Sequence, residues 1–147
     1  MFEKVNQIDP QELPIYKKGK EIYDLIDQIC QVIENNELSL GKIKDDMLNT
    51  TRLLSIKVVD VECDRNFDSK IESAAIIRRA ARELSFYIDS IKALGFENVE
   101  YLENVRPLIK EYRFLFNDWV ISFGKWDNKN DPWELLRPSG SGPANIY

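Results

Sequence analysis

The sequence predicts an all-α fold, an antiparallel up-down-up-down four-helix bundle with a short C-terminal tail outside it. Apolar residues recur in steps of three and four through four long stretches, the spacing that gathers them on one side of a helix turning about 100° per residue. The breaks between the stretches are short and carry residues that stop or start helices, so consecutive helices should lie antiparallel. Each stripe is too broad to leave in water, and four of them can bury one another.

The third stretch, Phe67 to Gly95, states this most clearly. Ile77, Ala80, Ala81, Leu84, Tyr87, Ile88, Ile91 and Leu94 share a face, while Arg78, Arg79 and Arg82 fall on the other. Gly95 stands where a residue in the left-handed conformation would close the helix. The first helix is expected from Pro14, a residue suited to the opening turn, to Asn35-Asn36-Glu37. Ile15, Ile22, Ile26, Ile29 and Ile33 form its stripe, flanked by Leu25 and Val32, and Gly19 at the edge marks a close approach by a neighbour. The second runs from Ser39 to about Asp64, with Leu40, Ile43, Met47, Leu54, Val58 and Val61 in one row and Thr50 and Thr51 inside it. The fourth runs from Val99 to Phe123 on Leu102, Val105, Ile109, Tyr112, Phe116, Trp119 and Phe123, with Pro107 bending or breaking it early. Residues 1–13 are then an N-terminal arm, 14–123 the bundle and 124–147 a tail.

Some apolar residues exceed what one core can absorb. Leu48, Ile56 and Val59 make a second set on helix two, and Phe114 and Ile121 lie opposite the stripe of helix four. These five are the expected interface of a homo-oligomer. In the tail, Trp126 and Trp133 precede a linker-like Ser-Gly-Ser-Gly-Pro run and are read as anchors that fold back on the chain or dock on another protein.

Composition narrows the chemistry. The chain has no histidine, which removes the Ser-His-Asp triad, the Cys-His dyad and histidine metal sites. No glycine-rich phosphate loop occurs, and Cys30 and Cys63 lack the spacing of a metal or redox pair. A non-enzymatic protein without catalytic residues, cofactor, metal or small-molecule substrate is expected. No apolar run reaches a membrane span, and the first residues lack the pattern of a signal peptide, so a cytoplasmic protein without membrane contact is expected.

Net charge is −5, distributed unevenly: residues 1–36 carry 4 basic and 7 acidic side chains, and 67–95 carry 5 basic and 4 acidic. Arg78, Arg79 and Arg82 are the sharpest surface feature. Arg78 and Arg82, one turn apart, repel one another by about 0.2–0.5 kcal/mol unless an anion lies between them. Asp60, Glu62 or Asp64 could supply that anion across the turn before helix three, or a partner could.

Placed on these helices, ARELSFYIDSIKALGF followed by ENVEYLENVRPLIKEYRFLFNDWVISF resembles a known superfamily. It comprises the four-helix-bundle proteins encoded in intervening sequences of large-subunit ribosomal RNA genes and the accessory variability determinant proteins of diversity-generating retroelements. Ala81, Glu83, Leu84, Leu94 and Gly95 match the superfamily's third helix, and Leu108, Tyr112, Leu115 and Ile121 the apolar rows of its fourth. Of the SIPxNIAEG ending common in the intervening-sequence branch, only Ser55, Ile56 and Glu62 remain, which points to the accessory-protein branch. The resemblance covers about residues 14–123. It implies a homopentamer that binds a reverse transcriptase and its RNA through basic surface, with Arg78, Arg79 and Arg82 as the candidate contacts. The sister branch implies a free-standing interaction bundle without nucleic acid.

Overall fold

The computed structural model describes residues 9–33 and 38–127, with side chains described for 9–33 and 40–123. Every element among the described residues is helical: a 3₁₀ turn at Pro10–Glu12, then α1 (Pro14–Val32), α2 (Leu38–Cys63), α3 (Phe67–Ala93), α4 (Val99–Glu103) and α5 (Val105–Asp127). The all-α class expected from the stripes is therefore the class observed.

Local chemistry sets the boundaries. The Asp9 carboxylate accepts the Gln11 N–H at 3.0 Å, and Pro14 opens α1 behind an extended Leu13. At the α2–α3 corner Asp64 accepts the Asn66 N–H, and Asn66 in turn caps α3 by accepting the Ser69 N–H, both at 2.9 Å. Gly95 closes α3 with φ +93°. The Gly95 N–H reaches the Lys92 carbonyl at 3.0 Å and the Phe96 N–H the Ile91 carbonyl at 3.3 Å, the paired bonds of a Schellman ending. The expected fourth helix is two pieces separated by Asn104. The break comes before Pro107, which consequently sits in the first turn of α5, where a missing N–H leaves no gap in the ladder. At its far end α5 continues to Asp127, a turn past the boundary expected at Phe123.

α2 is the packing hub, lying along both α1 and α3, while α1 also lies along α5. The core between them holds Ile22, Ile26 and Ile29 of α1, Met47, Leu54 and Val58 of α2, Ile77, Leu84, Ile88 and Ile91 of α3, and Leu102, Val105 and Tyr112 beyond. Leu94, assigned to the stripe of α3, stands at the cap of the helix and is exposed instead, and Val32, expected beside the α1 stripe, is exposed at the last turn of α1. The helical phase that placed Leu94 inward stops where α3 does. Leu48, assigned to the outer set of α2, is half-buried against the core.

The α1–α2 contact is closest at Gly19. A β-carbon there would stand 2.4 Å from the Leu54 carbonyl oxygen and 2.8 Å from its carbon. Small residues line the α2 side of this crossing: Thr51 and Ser55 are buried, with their hydroxyls donating to the carbonyls of Met47 and Arg52. The same Leu54 oxygen accepts the buried hydroxyl of Tyr112, at 2.7 Å, from α5. Further along, Cys30 is buried in α1 with its thiol 3.9 Å from the Lys44 carbonyl, whereas Cys63 at the end of α2 is exposed.

Two measurements test this packing. Gly19→Ala should cost about 1–3 kcal/mol in urea unfolding, because its methyl meets backbone that cannot turn away. Gly41→Ala in α2 meets nothing within 4 Å and should instead raise stability by up to about 0.5–1 kcal/mol. Burial pushes the Cys30 thiol up to about 12. A thiol reagent at pH 8 should therefore modify Cys63 alone in the folded protein and both cysteines after unfolding.

Candidate anion-binding groove

α3 and α5 form the loosest seam of the bundle, and their ends are where charged side chains tie them together. Near the C-terminus of α3, Arg106 pairs with Asp89 and sets its Nε 3.0 Å from Glu103, while Lys92 Nζ lies 2.8 Å from the other Glu103 oxygen. The hydrogen bond from Lys92, and then that from Arg106, lowers the pKa of Glu103 from its ordinary value. Partial burial works against the Arg106 charge, but its bonds to Asp89 and Glu103 prevail and raise its pKa. At the other end of the seam Lys70 Nζ stands 5.5 Å from the centre of the Phe123 ring.

Between these ties the seam opens into a groove of about 260 Å³. α3 supplies Arg78, Ala81, Arg82 and Ser85, and α5 supplies Ile109, Tyr112, Arg113 and Phe116. The opening has a local cause. Ala81 and Ser85 present little bulk from α3, and Tyr112, which could fill the space, crosses the interior to reach α2. What results is an apolar floor with three guanidinium groups along it and no carboxylate among the described residues that line it. Guanidinium groups bind carboxylate or phosphate in bidentate fashion, and the low surroundings of an apolar floor strengthen such bonds.

The structure thus brings together Arg78 and Arg82 of the predicted cluster. Arg78 is half-buried and Arg82 exposed. Arg79 is exposed and outside the groove lining, because its phase on α3 carries it to the outer face. Arg113 joins the site from α5. The sequence signal for it was slight: it adjoins Tyr112 and precedes Phe116 by three residues, at the edge of the α5 stripe. The carboxylates considered as local partners have other contacts. Asp60 pairs with Lys57 at 3.6 Å, Glu62 accepts the Trp119 indole N–H at 2.7 Å, and Asp64 holds the corner before α3.

Of the expected interface residues, Ile56, Phe114 and Ile121 are exposed, with Phe114 at 64%, and Val59 is half-buried. Phe114 and Ile121 each follow by two residues, about 200° of helix, the side chains with which α5 reaches α2, Tyr112 and Trp119. Ile56 lies midway between the buried Leu54 and Val58. The outer faces of α2 and α5 therefore look away from each other. Phe86 of α3, at 67% exposure, is a further apolar residue on the surface that the stripes did not single out. Trp126 falls in the last turn of α5, and its side chain and the whole of Trp133 lie outside the described residues.

Among the described residues no helix is long and apolar enough to cross a membrane, and no group of three or more cysteine and carboxylate side chains is placed to hold a metal ion. No family model, no curated protein and no solved structure matches the chain. The superfamily resemblance therefore rests on its own residues.

The ties at the seam carry a pH dependence. Since the Glu103 pKa is lowered in the folded protein, its contribution to stability is complete above the ordinary glutamate range and is lost as pH falls through the lowered value. Glu103→Gln should remove that part of the acid limb, so that urea midpoints of the two proteins converge as the pH is taken down through the lowered Glu103 value.

Proposed function

We propose that this chain is a non-enzymatic binding protein that assembles with copies of itself and holds an anionic surface of a macromolecular partner in the groove between α3 and α5. One observation carries the proposal: three arginines from two helices converge over an apolar floor. A surface of that kind suits a carboxylate- or phosphate-bearing partner with apolar groups between its charges. The retroelement resemblance supplies the partner's identity, a reverse transcriptase with its RNA. The chain's net charge of −5 favours protein contact over broad phosphate contact, and it is also what a free-standing interaction bundle without nucleic acid would display.

The outward apolar residues support self-association of a particular type. A two-fold dimer needs one self-complementary patch, whereas Ile56 on α2 and Phe114 and Ile121 on α5 face away from each other. Two different patches on one subunit suit head-to-tail contacts, which close into rings. The homopentamer implied by the resemblance is a ring of this type.

The test compares arginines. Arg78→Gln, Arg82→Gln and Arg113→Gln together should weaken binding to a reverse transcriptase encoded beside this chain by tenfold or more, with the helical circular dichroism spectrum unchanged. Arg79→Gln should leave the affinity near wild type. If RNA lies in the groove, the groove variant should also bind RNA with a shallower salt dependence. Equal effects from Arg79 and the groove arginines would overturn the site. Light scattering at micromolar concentration should return a multiple of the 17.2 kDa chain, and a monomer mass would overturn the assembly.

A further inference from the structure

We propose that the outer face of α3 is a self-pairing surface. It takes a second copy of this chain, α3 against α3, antiparallel about a two-fold axis at the level of residue 81. This contact is separate from the groove and from the head-to-tail patches of α2 and α5.

Exposure defines the face. Ala75, Ile76, Arg79, Glu83 and Phe86 are exposed in the middle of α3, with Ile76 at 38% and Phe86 at 67%. At 100° per residue Ile76, Arg79, Glu83 and Phe86 fall within about 80° of one another, while Ile77, Leu84 and Ile88 hold the buried side. Their steps of three, four and three are the a and d spacing of a helix-pairing seam. Phe86 has support on this surface: its ring stands edge-on to that of half-buried Tyr87, with centroids 6.4 Å apart. Glu72 and Ser90 continue the same row, and between them the seam is about 27 Å long at 1.5 Å per residue.

The occupant follows from the order of residues along the seam: apolar, positive, negative, apolar. Read backwards, that order is its own complement. When α3 runs antiparallel to its copy, residues equally far before and after position 81 face each other. Ile76 then meets the second copy's Phe86, and Phe86 meets its Ile76. Between them Arg79 meets Glu83, and Glu83 meets Arg79. Both apolar side chains are covered, and two opposite-charge pairs form in which guanidinium and carboxylate can bond in bidentate form. The outermost layers set Glu72 against the small Ser90.

Other arrangements lose this match. A parallel pair sets Arg79 on Arg79 and Glu83 on Glu83. An antiparallel pair slipped by one heptad sets Phe86 on Glu83 in one direction and Ile76 on Arg79 in the other. Charge thus fixes both orientation and register. The two copies' Arg82 side chains come onto one exposed rim, where salt screens them from each other. In a ring, the same two-fold contact joins each subunit to one of a second ring, so the assembly holds an even number of chains.

Light scattering and cross-linking of the full chain test the pairing. The wild-type mass should be an even multiple of 17.2 kDa. Arg79→Glu, and separately Glu83→Arg, should halve that mass with the helical circular dichroism spectrum unchanged. Mixing these two variants in equal amounts should restore it, because one copy then carries two acids and the other two arginines. The double variant Arg79→Glu with Glu83→Arg should restore it as well. In a Cys63→Ser background under mild oxidation, Ile76→Cys and Phe86→Cys should give a disulfide-linked pair of chains only when the two proteins are mixed. An odd number of chains in the wild type, or a mass that neither single substitution changes, would overturn the proposal. A double variant that stays at half mass would overturn it too, as would a linked pair from Ile76→Cys alone, the mark of the parallel arrangement. A wild-type mass of two chains keeps the two-fold contact and removes the ring, whereas five chains keep the ring and remove the two-fold contact.

Discussion

One backbone oxygen, that of Leu54, fixes how three of the long helices meet. α1 can approach it because position 19 has no side chain, and α5 reaches it through the Tyr112 hydroxyl at 2.7 Å. A carbonyl in mid-helix ordinarily has its second lone pair facing neighbours that cannot use it. Here a buried phenol does, and the phenol's own need for a partner is met in the same bond. Leaving that hydroxyl buried without an acceptor would cost about 1–3 kcal/mol, so α5 cannot rotate away from α2 without losing it. Thr51 and Ser55, each donating its hydroxyl to its own helix, keep the crossing narrow without leaving a polar atom stranded. The height and rotation of α1, α2 and α5 follow from this one junction.

α3 is positioned by a different contact. Its alanines, Ala74, Ala80 and Ala81, are buried among Ile77, Leu84 and Ile88, and α2 is the helix it follows most closely. With Tyr112 engaged on Leu54, and with Ala81 and Ser85 facing α5, nothing bulky is left in the middle of the α3–α5 seam. The groove is therefore a consequence of the packing that stabilises the rest of the bundle. Filling it from within would require a large residue at position 81 or 85.

Much of the fold was legible because stripes, caps and glycines are local. Gly95 announced its own left-handed ending, and Gly19 announced a close neighbour, although nothing in the chain said that the neighbour would be the backbone of residue 54. Legibility failed where the helical phase failed. Leu94 fits its stripe in angle but stands where the helix ends, and the fourth helix broke at Asn104 because Pro107 tolerates only an opening turn. The site was half legible. Arg78 and Arg82 could be read from one helix, but Arg79 between them belongs to the outer face, and Arg113 comes from a helix that meets them only in three dimensions. A groove is a property of two elements, and a periodicity describes one.

An acidic chain with a basic groove is consistent once charge is followed locally. Lysines and arginines at the ends of the seam are held by specific acids: Lys92 and Arg106 by Glu103, and Arg106 also by Asp89. Lys18 is likewise held at the α1–α5 contact by Glu21 and Glu111, whose hydrogen bonds raise its pKa. These pairs are partly exposed, and ion pairs of this kind add little to stability. They do, however, decide where positive charge accumulates. The groove arginines lie where no acid is found among the described lining residues, and the repulsion between two like charges one turn apart, as Arg78 and Arg82 are, is only about 0.2–0.5 kcal/mol. An anion entering the groove relieves that repulsion and meets guanidinium groups already directed by two rigid helices, so little ordering remains to be done on binding.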